Sequence, residues 1–250
     1  MNSPETPIYK KSVFFYGLHH ARESIRKEGF VVLVEGYTDV IQLFQNGIKN
    51  CVAVAGTAFS ERHVGQLNKF TSKVLLAYDG DFAGVSAALK TGYHLIKGGI
   101  ECEVIEIPDK LDPDEWISKS GPEIFKSKGI QRSLNLIDYH LKTSNFADLN
   151  APKKSEVVHQ ILTEVKEIAN PIISNEIIKK LAEKSGVEES DIKKMIPQKK
   201  SFRMNDNQDN YHEEQLFDSI NDKAAFGIIK VILHGEFCLL YTSPSPRDRG

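Results

Sequence analysis

From residue 30 to residue 108 the hydrophobic positions alternate between two rhythms. Four short runs predict strands: Phe30-Val31-Val32-Leu33-Val34, Asn50-Cys51-Val52-Ala53-Val54-Ala55, Lys73-Val74-Leu75-Leu76-Ala77-Tyr78 and Cys102-Glu103-Val104-Ile105-Glu106-Ile107. A strand buried on both faces needs apolar side chains along its whole length, and β-branched residues suit it. Between the runs the spacing turns helical. Asp39 to Phe44 carries apolar residues three and four apart before Gly47, Ser60 offers an N-cap ahead of Glu61, and Ala83 to Lys97 is amphipathic up to Gly98-Gly99,. Strands alternating with helices predict a mainly parallel α/β sheet flanked by helices.

Outside that region the strand rhythm is lost. Ser12 to Lys27 predicts a helix, with Tyr16, Leu18, Ala21 and Ile25 among its apolar positions. Ser133 to Lys142, Lys153 to Ala169, Asn175 to Lys184 and Glu188 to Met195 predict an α-helical subdomain, with Pro152 and Pro171 near two of the helix starts,. Residues 198–212 are polar and read as a linker, and helical spacing resumes over 213–235. Residues 236–250 break that pattern and read as a non-native tail,.

Composition narrows the class. In 250 residues, 40% are hydrophobic and 26% charged, as in ordinary globular proteins,. No apolar run reaches the roughly 18 residues of a membrane span, and the first residues lack the basic start and apolar core of a signal peptide. Cys51, Cys102 and Cys238 show no CxxC spacing, so no zinc site is expected and a cytoplasmic setting is,. A net charge of −2 argues against gripping nucleic acid by bulk charge, while leaving room for a local basic track,.

The candidate chemistry is acidic. In a parallel sheet ligands bind beyond the C-terminal ends of the strands, and carboxylates cluster at three such places. Glu35 follows the first strand with Asp39 four residues on; Asp79-Gly80-Asp81 follows the third; Asp112-Pro113-Asp114 follows the fourth. Residues i and i+2 of an extended segment point to one side, so each pair can present two carboxylates together. Each cluster alone reads equally as a helix cap or a turn. Together they would repel one another without a counter-charge, and all-oxygen ligation without nearby His or Cys suits Mg²⁺ or Mn²⁺. His19, His20 and His63 have no metal-like spacing and read as surface or interface residues.

Val34-Glu35-Gly36-Tyr37-Thr38-Asp39-Val40 and Tyr78-Asp79-Gly80-Asp81-Phe82-Ala83-Gly84 resemble the two signature motifs of the TOPRIM domain, shared by primases, topoisomerases and some nucleases. Asn2 to Ser12 with Tyr16-Gly17-Leu18, Val54-Ala55-Gly56-Thr57-Ala58 and Leu111-Asp112-Pro113-Asp114-Glu115 are similar to segments of bacterial DnaG-type primases. The resemblance covers residues 2 to about 196. It implies metal-dependent synthesis of short RNA primers on a single-stranded DNA template from ribonucleoside triphosphates. Glu35, Asp79 and Asp81 would be catalytic, and Asp112 and Asp114 would join them in holding metal. Asp39 would support them, and Lys10 and Lys11 would contact nucleotide or template. Val13 departs from the family, which often carries a basic residue there.

On that resemblance residues 1–28 are the connecting segment of the primase core, 29–121 the TOPRIM domain, 122–197 the helical subdomain, and 213–235 the start of a truncated helicase-binding domain. The family's zinc-binding domain and the basic half of its polymerase core are expected to precede this chain. A replicative helicase is the implied protein partner, and no membrane is involved. Two alternatives remain open: another TOPRIM enzyme, nuclease or topoisomerase-like, and a non-catalytic helicase-interaction fragment. A dinucleotide-binding domain is disfavoured because the first strand lacks a GxGxxG turn,.

Overall fold

The computed structural model describes residues 6, 10–54, 58–108 and 111–196, and these belong to one compact unit. The linker, the 213–235 helix and the tail expected from the sequence lie outside the described residues. Among the described residues no helix is long and apolar enough to cross a membrane.

The core is a six-stranded mixed sheet in the order β1-β3-β2-β4-β5-β6. Its inner strands β2 (Val31–Val34), β3 (Cys51–Val54), β4 (Lys73–Ala77) and β5 (Glu101–Val104) are parallel, as the sequence predicts. The edges β1 (Phe15–Tyr16) and β6 (Leu134–Asn135) pair antiparallel, to β3 and β5. β2 lies between β3 and β4, and all four of its side chains are buried. Alternation along it sends Val31 and Leu33 to one face and Val32 and Val34 to the other,.

Each face has its own layer. Val32, Val34, Leu75 and Ala77 pack with Val40 and Leu43 of α2 (Tyr37–Gln45), Trp116 and Ile117 of α5 (Pro113–Ser120), and Phe125. On the other face Val31, Leu33, Val74 and Leu76 share one core with α1 (Leu18–Glu28), α3 (Glu61–Leu67) and α4 (Phe82–Lys97). A short turn α6 (Pro122–Ile124) separates α5 from the helical region α7 (Leu136–Thr143), α8 (Ala151–Val165), α9 (Pro171–Ser185) and α10 (Glu189–Met195), which buries residues in that second core. Lys97 at the end of α4 pairs with Glu164 of α8 at 2.6 Å and with Glu167 just beyond it.

Three stretches differ from the sequence expectation. The helix predicted over 12–27 is interrupted: Lys11–Val13 forms a 3₁₀ turn, Phe15 and Tyr16 join the sheet edge, and α1 starts only at Leu18. Gly17 makes the break with φ of 82°, where a Cβ would stand 2.9 Å from a Val40 methyl,. The helix predicted from Ser133 begins at Leu136, because Leu134 and Asn135 pair with β5 and the Asn135 side chain accepts the Asp138 N–H at 3.0 Å. After Asp112–Glu115, which the sequence reads as an N-terminal turn with Trp116 beginning a helix, α5 forms as expected from Pro113, but α6 then leads into a π-helical turn at Phe125–Gly129 that the sequence does not predict.

Candidate active site

The inner strands end along one edge, so the segments leaving β2, β4 and β5 meet there. Glu35 leaves β2 directly, Asp79 and Asp81 follow β4, and Asp112 opens α5 after β5. Gly80 brings the last two groups together. Its N–H donates to the Leu111 carbonyl at 2.9 Å, and a Cβ there would lie 2.6 Å from the Pro108 carbonyl oxygen. Gly84 permits the next contact: a Cβ on it would come within 2.9 Å of the Asp79 backbone nitrogen.

Several of these carboxylates also hold backbone. Asp81 caps α4 by accepting the Gly84 N–H at 2.7 Å, and Asp112 caps α5 by accepting the Glu115 N–H at 2.6 Å,. Asp39 accepts the Gly36 N–H at 2.9 Å, closing the turn between Glu35 and α2. Asp114 accepts from the Ser118 hydroxyl at 3.2 Å, and Ser118 in turn accepts from the Gln42 amide at 2.6 Å, joining α5 to α2. Asp81 and Asp112 are therefore both helix caps and members of the acidic cluster, and their capping bonds fix where those two carboxylates stand.

Their mutual repulsion is visible in their proton affinities. Burial raises Glu35 above the ordinary carboxylate range, and the charge of Asp79 adds to it. Asp79 is raised by burial, then by Asp112 and Asp81. Asp39, 6% exposed, is pushed up to about 6, first by burial and further by Asp112 and Asp79, against backbone hydrogen bonds from Gly36 and Asp114. Carboxylates from β2, β4 and β5 thus sense one another across the sheet edge with no cation paired to Glu35, Asp79, Asp81 or Asp112 among the described residues.

A cleft of about 810 Å³ opens beside Glu35. Tyr78, Phe59 and Thr91 line its interior, Phe82 stands 90% exposed at its rim, and Lys90 and His94 of α4 complete the wall, Lys90 bringing a positive charge. Among the described residues no three His, Cys, Asp or Glu side chains converge as a ready metal cage. The donor set is nonetheless oxygen-only and under-neutralised, which fits a hard cation that keeps most of its water and takes one or two carboxylates.

His63 differs from its expected surface or interface role, since it is fully buried. Its ring lies against Phe59 and edge-on to Phe15. Nδ1 accepts the Ser60 N–H at 3.1 Å, which leaves Nε2 to donate to the Lys11 carbonyl at 2.9 Å,. Burial lowers its proton affinity, consistent with a neutral ring. This histidine anchors the segment carrying Lys10 and Lys11 to α3, next to the Ala58–Phe59 wall of the cleft. A lone histidine between Arg62 and Val64 gives no sequence signal of that role. His19 and His20 are exposed.

An α/β sheet with this acidic edge is the architecture of a Toprim domain, and the Toprim domain family matches residues 29–106. The family described as the DnaB-helicase binding domain of primase matches residues 136–190, the stretch of α7 to α9. The DNA primase of Staphylococcus aureus is 49% identical over 125 residues, 50% of this chain and 21% of that protein. The DNA primase of Clostridium acetobutylicum is 35% identical over 198 residues, 78% of this chain and 33% of that protein. A solved DnaG primase catalytic domain bound to ssDNA superposes with a TM-score of 0.66 at 28% identity, over 76% of this chain and 62% of that one. Over most of its length the chain is similar to bacterial DnaG-type DNA primases. It spans about a fifth to a third of the length of these two curated relatives.

Proposed function

We propose that the carboxylate edge carries out nucleotidyl transfer in DNA-templated synthesis of short RNA primers. The observation that carries this reading is the assembly of Glu35, Asp79, Asp81 and Asp112 from three strand ends into one mutually repelling group, in a chain similar to bacterial primases. Single-stranded DNA is the template, ribonucleoside triphosphates the substrates and an RNA primer the product, in the cytoplasm. Mg²⁺ or Mn²⁺ would be held by carboxylates drawn from Glu35, Asp79, Asp81, Asp112 and Asp114, and it would neutralise triphosphate charge and polarise the attacked phosphorus centre.

The chain's own residues have separable roles. Glu35 has an increased proton affinity and lines the cleft, so it suits proton transfer from an attacking hydroxyl,. Asp79 and Asp81 hold charge at the start of α4, where Asp81 is oriented by its cap. Asp39 keeps the Glu35–Gly36 turn closed. Lys10 and Lys11 sit on the segment tied down by His63 and would meet phosphates entering the cleft.

A helicase-docking role for residues 136–190 is a second reading, favoured by the family match there. It is compatible with the first and is tested by pull-down with a replicative helicase. For the catalytic reading the test is template-directed ribonucleotide incorporation by the chain, with Glu35→Gln and Asp79→Asn. Incorporation should fall at least a hundredfold in either variant, within the range general acid–base groups contribute, roughly 10²–10⁴-fold. Equal incorporation by wild type and both variants refutes it, and DNA cleavage without added ribonucleotides would favour a nuclease.

A further inference from the structure

The outward face of α2 is apolar where an amphipathic helix is normally polar. Val40 and Leu43 already bury its inner face. Yet Tyr37, Ile41 and Phe44, spaced four and three apart, are 48%, 41% and 37% exposed. Neighbouring rings extend the stripe. Tyr16 meets Tyr37 edge-on with centroids 6.0 Å apart, and His20 meets Phe44 at 6.4 Å. Beyond those two edge-on contacts the three side chains of the row keep the exposed area given above.

The two ends of the row differ in charge. Tyr37 is the first residue of α2, two residues beyond Glu35, so one end abuts the carboxylate edge. Phe44 lies about 10 Å further along the axis at ~1.5 Å per residue. Just past it, the loop carrying Gly47 and Lys49 borders a cavity of about 450 Å³, where Lys27, Lys49 and Lys126 face the single acid Glu28. Lys126 has Glu123 at 3.5 Å, whereas Lys27 and Lys49 have no carboxylate within 4.0 Å among the described residues.

We propose that this face carries an unpaired nucleic-acid strand, its bases stacked on Tyr37 and Phe44 and its phosphates on Lys27 and Lys49. Aromatic faces accept any base, and a cationic track beside them follows the backbone, the combination that sequence-tolerant single-strand binding uses. A purely apolar peptide would use the stripe and have no use for the unpaired lysines. An acidic peptide would use the lysines and leave the rings idle. The inference rests on the nucleic-acid reading above and adds a path for the strand along α2, away from the Glu35 cleft.

The test is fluorescence anisotropy of labelled dT12 against the 250-residue chain, without metal or nucleotide, over a series of salt concentrations. Tyr37→Ala with Phe44→Ala should weaken binding about tenfold or more, from loss of base stacking, and leave the salt slope unchanged. Lys27→Ala with Lys49→Ala should reduce the log–log salt slope by about 1.4, at ~0.7 per phosphate for single strands. Ile172→Ala, which truncates a 68% exposed side chain on α9, should change neither. Phe44→Trp should give an emission quenched by dT12, because the native Trp116 is only 5% exposed.

The proposal is overturned if wild type binds no dT12, or if both double variants keep wild-type affinity and slope. It is also overturned if the aromatic double variant only abolishes self-association seen by sedimentation, since the stripe would then be a contact between copies. Unchanged incorporation by Glu35→Gln would defeat the proposed chemistry while leaving the strand path to its own binding data.

Discussion

Replacing Asp39 with Asn should stabilise the metal-free protein at alkaline pH and not at acid pH. The Asp39 carboxyl is 6% exposed and pushed up to about 6 from an ordinary 3.8, with burial the main cause. Because the folded state holds this proton more tightly than the unfolded chain, the stability contributed by the protonated form is present below about 4. It is lost as pH rises through about 6. A shift of about two pH units corresponds to roughly 3 kcal/mol at 1.36 kcal/mol per unit. Asn keeps an acceptor for the Gly36 N–H but deprives a second backbone donor, at Asp114, of its oxygen. One lost hydrogen bond returns about 1 kcal/mol of that, leaving a net gain of about 2 kcal/mol at pH 8. At roughly 2–4 °C per kcal/mol for a unit of this size, Tm should rise by about 4–8 °C. Thermal unfolding followed by circular dichroism in EDTA at pH 8 and pH 5 measures it. An unchanged Tm at pH 8, or an equal rise at both pH values, would refute the electrostatic account of this edge.

Divalent cation should do reversibly what that substitution does permanently: Mg²⁺ or Mn²⁺ should raise the Tm of wild type at pH 8. Asp79→Asn should blunt the rise, as differential scanning fluorimetry with metal titration will report. Gly84→Ala places a methyl against the Asp79 backbone; it should cost about 1–3 kcal/mol and abolish the metal-induced shift, read in the same titration. His63→Ala removes a fully buried ring, takes the acceptor from the Ser60 N–H and leaves the Lys11 carbonyl only its bond from the Phe14 N–H, so urea denaturation should show a loss of about 2–5 kcal/mol. Because burial lowers the His63 proton affinity, its stabilising contribution is present above about 6.5 and lost as pH falls below it,. The wild-type disadvantage on acidification should therefore be smaller in His63→Phe.

The inner sheet was legible because β2, β3 and β4 are buried on both sides and their apolar runs leave no other reading. The edge strands were not. β1 and β6 are two residues each, too short for any periodicity, and they exist because Val54 and Val104 offer unpaired backbone beside them. Of the candidate site, positions after strand ends were legible for Glu35, Asp79 and Asp112. The sequence weighed capping against chemistry for each acid, whereas the hydrogen bonds of Asp81 and Asp112 make the cap the device that aims the charge. The role of His63 was invisible because Lys11, 52 residues away, is brought to it by the chain's path along β1, and only Ser60 stands at capping spacing from it. The helicase-related match falls on residues 136–190, while the sequence alone drew attention to 213–235, outside the described residues.

The double pairing of Lys97 has a mechanical meaning. α4 is a rod of 16 residues, about 24 Å long at ~1.5 Å per residue,. Asp81 is clasped at one end, and Lys97 is tethered to Glu164 and Glu167 at the other. The tether therefore fixes the spacing between α8, inside the stretch matched as helicase-binding, and the helix whose other end is capped by Asp81.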